Sequence, residues 1–422
     1  TSFRQPQGAF TMNISARVLF LCLPATMCFG QTADQQFIAD YGDLKINEIQ
    51  VLGTHNSYTQ PVDPKVLSAG SATFSKIFGS FEQNMTAEEK ATFEEFHPNG
   101  MSLEEGGQYQ HPLFPEQLDA GMRSLEIDVY YDPEGDRFSD PAAYRFMKQK
   151  GITDLAPFSS EGLDEPGYKV LHIPDFDFRT HYPTLKKALL ALKAWSDKNP
   201  QHIPIYILLE AKDSAIPLFP DATTVLKLDD EAFDALDAEV VSVLGRDKII
   251  TPDDVRGDHA TLREAVTSKQ WPTVNESRGK FIFLLLPGSG GAVASQKSPY
   301  VAHHPSLRGR VMFAQSSPDS EHAAFLLLDN AIVRQEEIQR YVQQGYLVRA
   351  RADIETYEAK VNDPTRADAA FSSGAQVVST DFYQPGNAYG TDYYVQMPGG
   401  SVARCNPVNG ADNCKDSEQR FQ

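Results

Sequence analysis

Short apolar runs bounded by polar and turn residues recur along the chain at residues 49–53, 124–129, 169–172, 203–209, 281–286, 311–314, 346–350 and 375–379. Each has strand length. Between several of them the apolar period lengthens to that of a helix: residues 184–198 place Leu185, Leu189, Leu192 and Trp195 on one face, residues 230–244 follow the same rule, and residues 336–344 end at Gly345. Strands of near-continuous Val, Ile and Leu alternating with helices describe a parallel sheet covered on both faces. Eight such strands predict an α/β fold, a (β/α)8 TIM-type barrel, whereas five or six would have pointed to an open doubly wound sheet. Helices are not evident in every gap, so the expected barrel is irregular. Residues 59–111 form a long polar insertion after strand one, without a strong strand of their own. The expected division is residues 1–33 as an upstream extension and signal peptide, 34–386 as the barrel, and 387–422 as a C-terminal extension.

The chain has 422 residues, enough for a large core, and a net charge of −19 with a pI near 4.9. Acidity of this size argues against nucleic acid, whose phosphates call for clustered Lys and Arg. On average it also repels an anionic membrane. Met12 and Arg17 precede the apolar stretch VLFLCLPATMCFG, which reads as a secretory signal peptide cleaved between Gly30 and Asp34 and is too short to span a bilayer. A secreted or periplasmic location follows, with no transmembrane helix in the mature chain. Removal of that leader leaves Cys405 and Cys414, a close pair that in an exported protein predicts one disulfide pinning the tail. Two glycosylation sequons, at Asn84 and Asn275, are no more than chance would supply.

The candidate chemistry lies at the ends of the predicted strands. LGTHNSY ends on His55 and Asn56, SLEIDVYYD carries Glu126 and Asp128, YKVLHIPDFDF carries His172, and IYILLEAKD carries Glu210 and Lys212. Residues alternate faces along a strand, so Glu126 and Asp128 point the same way, as do Glu210 and Lys212. Carboxylates gathered on one face repel unless a proton or cation sits among them. Any one acidic strand end is more often solvated or salt-bridged than functional. Four oxygen donors on the face where barrel enzymes build their sites reverse that weighting. Asn56, Glu126, Asp128 and Glu210 offer hard oxygen ligands that suit Ca2+, with Mg2+ second; zinc, lacking cysteine or convergent histidine, fits less well.

Two histidines on that face can divide acid and base duties in phosphodiester cleavage, one taking the nucleophile's proton and the other supplying the leaving oxygen. The other eight histidines, among them His97, His111 and His181, read as structural or surface residues. Three carboxylates against one divalent cation leave a negative charge that a phosphodiester would feel. Lys212, Arg349 and Arg351 are therefore candidates to bind phosphate, with salt bridging at the barrel end an equal alternative.

These motifs, LGTHNSY, QLDAGMRSLEIDVYYDP, VLHIPDFDF and ILLEAKD, and more loosely YLVRARAD and VVSTDFYQPG, resemble those of the calcium-dependent phosphatidylinositol-specific phospholipases C. The resemblance spans residues 50–386. It implies that His55 is the general base and His172 the general acid, that Asn56, Glu126, Asp128 and Glu210 ligate calcium, and that an inositol hydroxyl attacks the adjacent phosphate to give a cyclic inositol phosphate and diacylglycerol. Its implied partners are a phospholipid or inositol phosphodiester substrate and a transiently contacted membrane surface. Modules of the pleckstrin, EF-hand or C2 kind are not apparent, which speaks against regulated action on polyphosphoinositides. Two other functions stay open: the same barrel acting as a glycerophosphodiesterase or sphingomyelinase-D-like enzyme, and a non-catalytic ligand-binding barrel.

Overall fold

The computed structural model describes residues 31–288, 295–410 and 414. Residues 1–30, which hold the predicted upstream extension and most of the signal peptide, lie outside the described residues. Strands comprise β1 (Ile49–Thr54), β2 (Ser124–Asp132), β3 (Gly167–Val170), β4 (Ile205–Lys212), β5 (Ile249–Ile250), β6 (Phe281–Pro287), β7 (Phe313–Ala314), β8 (Phe325–Leu327), β9 (Leu347–Arg351), β10 (Val377–Thr380) and β11 (Ala403–Cys405). Parallel pairing runs β7-β6-β4-β2-β1-β10-β9-β8. A single bridge between Gln315 and Phe325 brings β7 beside β8. Eight parallel strands thus curl into the irregular barrel that the alternating pattern predicts, with that bridge as its thinnest seam.

Burial explains the pattern. Ile49, Val51, Leu52, Ile205, Ile207, Leu209, Phe281 and Phe283 are all at or near zero exposure, as expected of parallel strands covered by helices. The helix Leu185–Lys198 forms as its sequence predicts: the Thr184 hydroxyl caps it by accepting from the Lys187 amide, and Leu185, Leu189, Leu192 and Trp195 are buried on one face. The helix Asp230–Leu244 also matches its predicted span. The third helix, Ala331–Gln344, starts five residues before the expected point and stops where Gly345 adopts φ 103°, a left-handed conformation that costs glycine little. At Gly53 the reason for glycine is proximity, because a Cβ there would lie 2.2 Å from the Ser124 carbonyl oxygen on β2.

Two expectations about strands need correction. The run at residues 169–172 is not a barrel strand: β3 turns back and pairs antiparallel with the far end of β2, Val129 opposite Val170. The physical cause is a second apolar cluster above the barrel, in which Tyr130, Leu171, Phe176 and Phe178 pack with Val66, Leu67 and Phe138 and hold this hairpin outside the ring. Its place in the ring goes to β8, three residues that no predicted run covered. The insertion is helical, with helices Pro64–Glu82, Ala87–Phe96 and Leu103–Gly106. After Gly386 the C-terminal extension packs on the barrel, with Tyr393, Val395, Met397 and Val402 in the main core. β11 pairs antiparallel with the start of β1, and Cys405 is bonded to Cys414 with Cα atoms 6.0 Å apart. No described helix is long and apolar enough to cross a membrane.

Candidate active site

The parallel register builds an acidic group at the C-terminal ends of β2 and β4. Asp128 lies directly opposite Glu210, and Glu126 sits two residues earlier on the same face of β2. Oxygens of Glu126, Asp128 and Glu210 come within 4.8 Å of one another. Burial together with the two neighbouring carboxylates pushes Glu126 up to about 8, although Arg349 pulls the other way. Each carboxylate has a cation against it. Lys212 Nζ lies 2.7 Å from Asp128 and 3.7 Å from Glu210, while Arg349 donates to Glu126 at 2.6 Å and to Asp329. Burial opposes the charge on Lys212, but Asp128 and Glu210 outweigh it and hold the amine protonated.

Asn56 follows the tip of β1 with φ 44°, a left-handed conformation that Asn tolerates better than most residues. Its neighbour Ser57 is tied to β2, the Ser57 amide donating to the Glu126 carbonyl at 3.0 Å and the Glu126 amide to the Ser57 hydroxyl at 2.8 Å. The Asn56 amide nitrogen donates to the Tyr109 hydroxyl at 2.6 Å, which turns Oδ1 away from Tyr109 and leaves it only a weak 3.4 Å approach from Tyr58. Asp128 is fully buried and both its oxygens lack a well-directed hydrogen bond. Three converging carboxylates and a buried carboxylate short of donors are the features a hard cation would satisfy, so this donor set fits Ca2+.

The two histidines are each held by a carboxylate on Nδ1. His55 Nδ1 is 2.8 Å from Asp381 at the end of β10, and His172 Nδ1 is 2.8 Å from Asp177 on the turn after β3. Donation from Nδ1 leaves Nε2 as the basic nitrogen in the neutral ring. Nε2 of His55 faces the acidic group, 3.9 Å from Glu126. Arg351 lies alongside the His55 ring, its terminal nitrogens 3.3 Å and 3.2 Å from the two ring nitrogens, and donates to Asp381 at 2.9 Å. Burial, then Arg351, lowers His55 to about 3, so the ring is neutral over the physiological range. Burial alone would raise Asp381, but His55 and Arg351 beside it hold the carboxyl at about 2. The carbonyl of His172 accepts from Lys212 at 3.2 Å and from Tyr130 at 2.9 Å, which links it to the acidic group.

The structure thus brings Glu126, Asp128, Glu210 and Lys212 together, with the His55 ring beside Glu126, Asn56 next to it in the chain, and the His172 carbonyl on Lys212. Arg349 is buried, Arg351 is partly so at 11 % of its side chain, and both are engaged with carboxylates; Lys212 keeps slightly more exposure, 16 %. Reading the sequence missed Asp381, Asp177 and Asp329. The first two lay inside quoted motifs, STDFYQPG and HIPDFDF, but only their approach to a histidine assigns them a role. His111 was read as structural or surface; its Nε2 sits 2.9 Å from the His55 carbonyl oxygen, and its side chain also lines the cleft next to the site. A cleft of about 820 Å³ lined by Tyr109, His111, His181 and Asp381 opens beside His55.

The sequence profile of the family "Phosphoinositide phospholipase C, Ca2+-dependent" matches residues 44–407, and the chain belongs to that family. None of the curated proteins matches it. Among solved structures it is similar to a calcium-dependent phosphoinositol-specific phospholipase C from Pseudomonas sp., in apo form with myoinositol, at 16 % identity and TM-score 0.49, covering 86 % of this chain and 96 % of that one. A Ca2+-dependent phosphatidylinositol-specific phospholipase C from Streptomyces antibioticus is similar at 17 % identity and TM-score 0.45, covering 80 % and 94 %. A glycerophosphoryl diester phosphodiesterase from Parabacteroides distasonis gives 11 % identity and TM-score 0.29, covering 83 % and 88 %.

Proposed function

We propose that this protein cleaves phosphatidylinositol or a related inositol phosphodiester with Ca2+, by histidine acid–base catalysis. The family assignment supports phosphodiester chemistry on this barrel. The observation that carries the finer reading is the pair of histidines, each with Nδ1 on a carboxylate, next to a three-carboxylate group: His55 by its ring 3.9 Å from Glu126 and His172 through Lys212. Asn56, Glu126, Asp128 and Glu210 would hold the cation. When bound, calcium offsets charge on the phosphate oxygens and lowers the pKa of the attacking hydroxyl.

The residues then divide the work. His55 Nε2 takes the proton of the inositol hydroxyl beside the phosphate, and Asp381 steadies the imidazolium that results. A P–O bond forms to that hydroxyl oxygen and the P–O bond to glycerol breaks. His172, which must enter the step protonated on both ring nitrogens, gives its Nε2 proton to the departing glycerol oxygen, with Asp177 accepting from Nδ1 and fixing the ring. Lys212 is the cation best placed to meet the phosphate, while Arg349 and Arg351 act on it mainly through Glu126 and Asp381. Export through the segment before Gly30 is part of the same reading, and the Cys405–Cys414 bond supports an oxidising location.

The test is purified protein on phosphatidylinositol, with calcium and with chelator, products resolved by phosphorus NMR. A cyclic inositol phosphate that vanishes with chelator is expected. A linear phosphate from the first turnover would mean water is the nucleophile and favour a glycerophosphodiesterase-like reaction; no turnover of any diester would leave a binding protein.

A further inference from the structure

Parallel pairing of β9 with β10 sets the turns after these strands side by side, and a carboxylate with no part in the chemistry above lies between them. Asp353 is fully buried on the first turn, two residues beyond Arg351. Its Oδ1 accepts from the backbone amide of Asp381 at 2.8 Å, and its Oδ2 accepts from the Thr380 hydroxyl. The Thr380 oxygen in turn accepts from the Phe382 amide at 2.9 Å, so the backbone on both sides of Asp381 is fastened to one carboxyl group. Arg351 donates to Asp381 at 2.9 Å, whereas Asp353 is met by an amide and by hydroxyls. Burial, then the charge of Asp381, pushes Asp353 up to about 7, so the uncharged acid persists to neutral pH.

The C-terminal extension closes this arrangement. Tyr393 is buried, and its hydroxyl reaches the Ala352 carbonyl at 3.0 Å and Asp353 Oδ2 at 3.3 Å. One hydroxyl proton cannot serve both. The carbonyl can only accept, so it takes the proton, and the Tyr393 oxygen then turns a lone pair on Asp353, a contact that a proton on Oδ2 satisfies. The Val395 amide donates to the Phe382 carbonyl at 2.7 Å, and the Tyr389 hydroxyl lies 2.7 Å from that of Thr356. The extension thus ties down both turns. The first needs it, because Glu355 and Thr356 have φ of 53° and 63°, left-handed values that cost energy outside glycine and persist where the surroundings over-determine them.

We propose that Asp353 is a positioning residue for the base, acting through Asp381 on the His55 ring, and that Tyr393 makes the C-terminal extension part of that support. Its effect on rate rests on the acid–base reading above. A carboxylate that orients a ring must itself be held, since a displacement of about 1 Å begun away from the chemistry can cost much of the rate. What Asp353 supplies is hydrogen bonding at two oxygens, not charge.

Kinetics on phosphatidylinositol and proton NMR of the full chain test this together. Asp353→Ala should lower kcat about tenfold or more, with KM and calcium affinity little changed. Asp353→Asn can still accept from the Asp381 amide and can donate to Thr380 and Tyr393, so it should keep at least about a third of the parent rate. In an Asp381→Asn background, Asp353→Ala should cost less than about twofold, because the group it acts through is already disabled. The His55 Nδ1 proton bonded to Asp381 should give a far-downfield signal that is absent in His55→Ala, kept in Asp353→Asn and shifted or lost in Asp353→Ala. Tyr393→Phe carries the test should Asp353→Ala not fold: it should lower kcat less, shift the same signal and add nothing to Asp381→Asn. The proposal is overturned if Asp353→Ala, or Tyr393→Phe in its place, leaves the signal unchanged, if Asp353→Asn loses as much as Asp353→Ala, or if the losses from Asp353→Ala and Asp381→Asn multiply. Full turnover in His55→Ala would sink the catalytic reading instead, and the Nδ1 signal would still show whether Asp353 places Asp381.

Discussion

The two histidine ends of the site share one device and differ in everything around it. His55 sits at the tip of a ring strand, 17 % exposed, with Asp381 on Nδ1 and the Arg351 guanidinium along its ring. His172 sits on a hairpin outside the ring, 26 % exposed, with Asp177 on Nδ1 and no arginine bonded to its ring among the described contacts. Burial and a neighbouring cation keep the His55 imidazole neutral, the form that accepts a proton. Under the proposed assignment, surroundings rather than residue type separate the base from the acid. The proposed base follows the tip of a ring strand, whereas the proposed acid follows a hairpin that packs with the second apolar cluster.

Removing each ring in turn is the strongest way to break this contrast. His55→Ala and His172→Ala should each lower turnover of the natural substrate on the order of 10²–10⁴-fold. A substrate with a good leaving group needs little protonation of the departing oxygen, so it should restore much of the rate to His172→Ala and little to His55→Ala. Equal rescue of both variants would show that the two ends are not specialised. Steady-state kinetics on paired substrates decides it.

A smaller but separable loss is expected between the two ends. Glu126→Gln keeps shape but removes a charge from the acidic group, so calcium affinity should fall about tenfold or more, with the rate recovering at higher calcium. Titration calorimetry and a calcium series of initial rates would check it. Unchanged affinity would remove Glu126 from the ligand set.

A shift of the pH profile should sharpen the contrast further. His55 works in its neutral form, so the rate falls as pH drops through its pKa. Arg351 helps hold that pKa down to about 3, and Arg351→Met should therefore move the acid limb of kcat/KM upward, on the order of one pH unit. Asp381 acts in the opposite sense, and Asp381→Asn should move the limb no higher while lowering the rate through loss of the ring's orientation. An acid limb that stays in place in Arg351→Met would mean that this limb reports another group.

Much of this arrangement was legible before any coordinates. Strands β1, β2, β4 and β6 announce themselves as short runs rich in Val, Ile, Leu and aromatic residues, and alternation along β2 is enough to put Glu126 and Asp128 on one face. What periodicity cannot give is the partner of a strand. The run at β3 looks like a ring strand, and only its antiparallel contact with Val129 and the apolar cluster beneath it show otherwise. For the same reason β8, three residues of Phe and Leu, escaped notice. Asp381 lies 326 residues from His55, and nothing local marks it as a partner. Asp177, five residues from His172, was the nearer opportunity.

The smallest effect should come from the opposite end of the barrel. Cys405 pairs with Ile49 at the start of β1, and His55 follows the other end of the same strand. The bond to Cys414 closes a separation of nine residues, for which chain entropy alone gives roughly 2–3 kcal/mol. Part of that is duplicated, because Asn406 donates to the Gly374 carbonyl at 2.7 Å and Asn409 to the Asn47 carbonyl at 2.9 Å whether or not the sulfurs are joined. Replacing both cysteines by serine should therefore lower the thermal transition by only a few degrees and leave kcat, the leaving-group rescue and the acid limb unchanged. Scanning calorimetry beside the same kinetic series would show it. A change in the acid limb would instead mean that β1 transmits strain along its length to His55, and that the base is less firmly held than the acid.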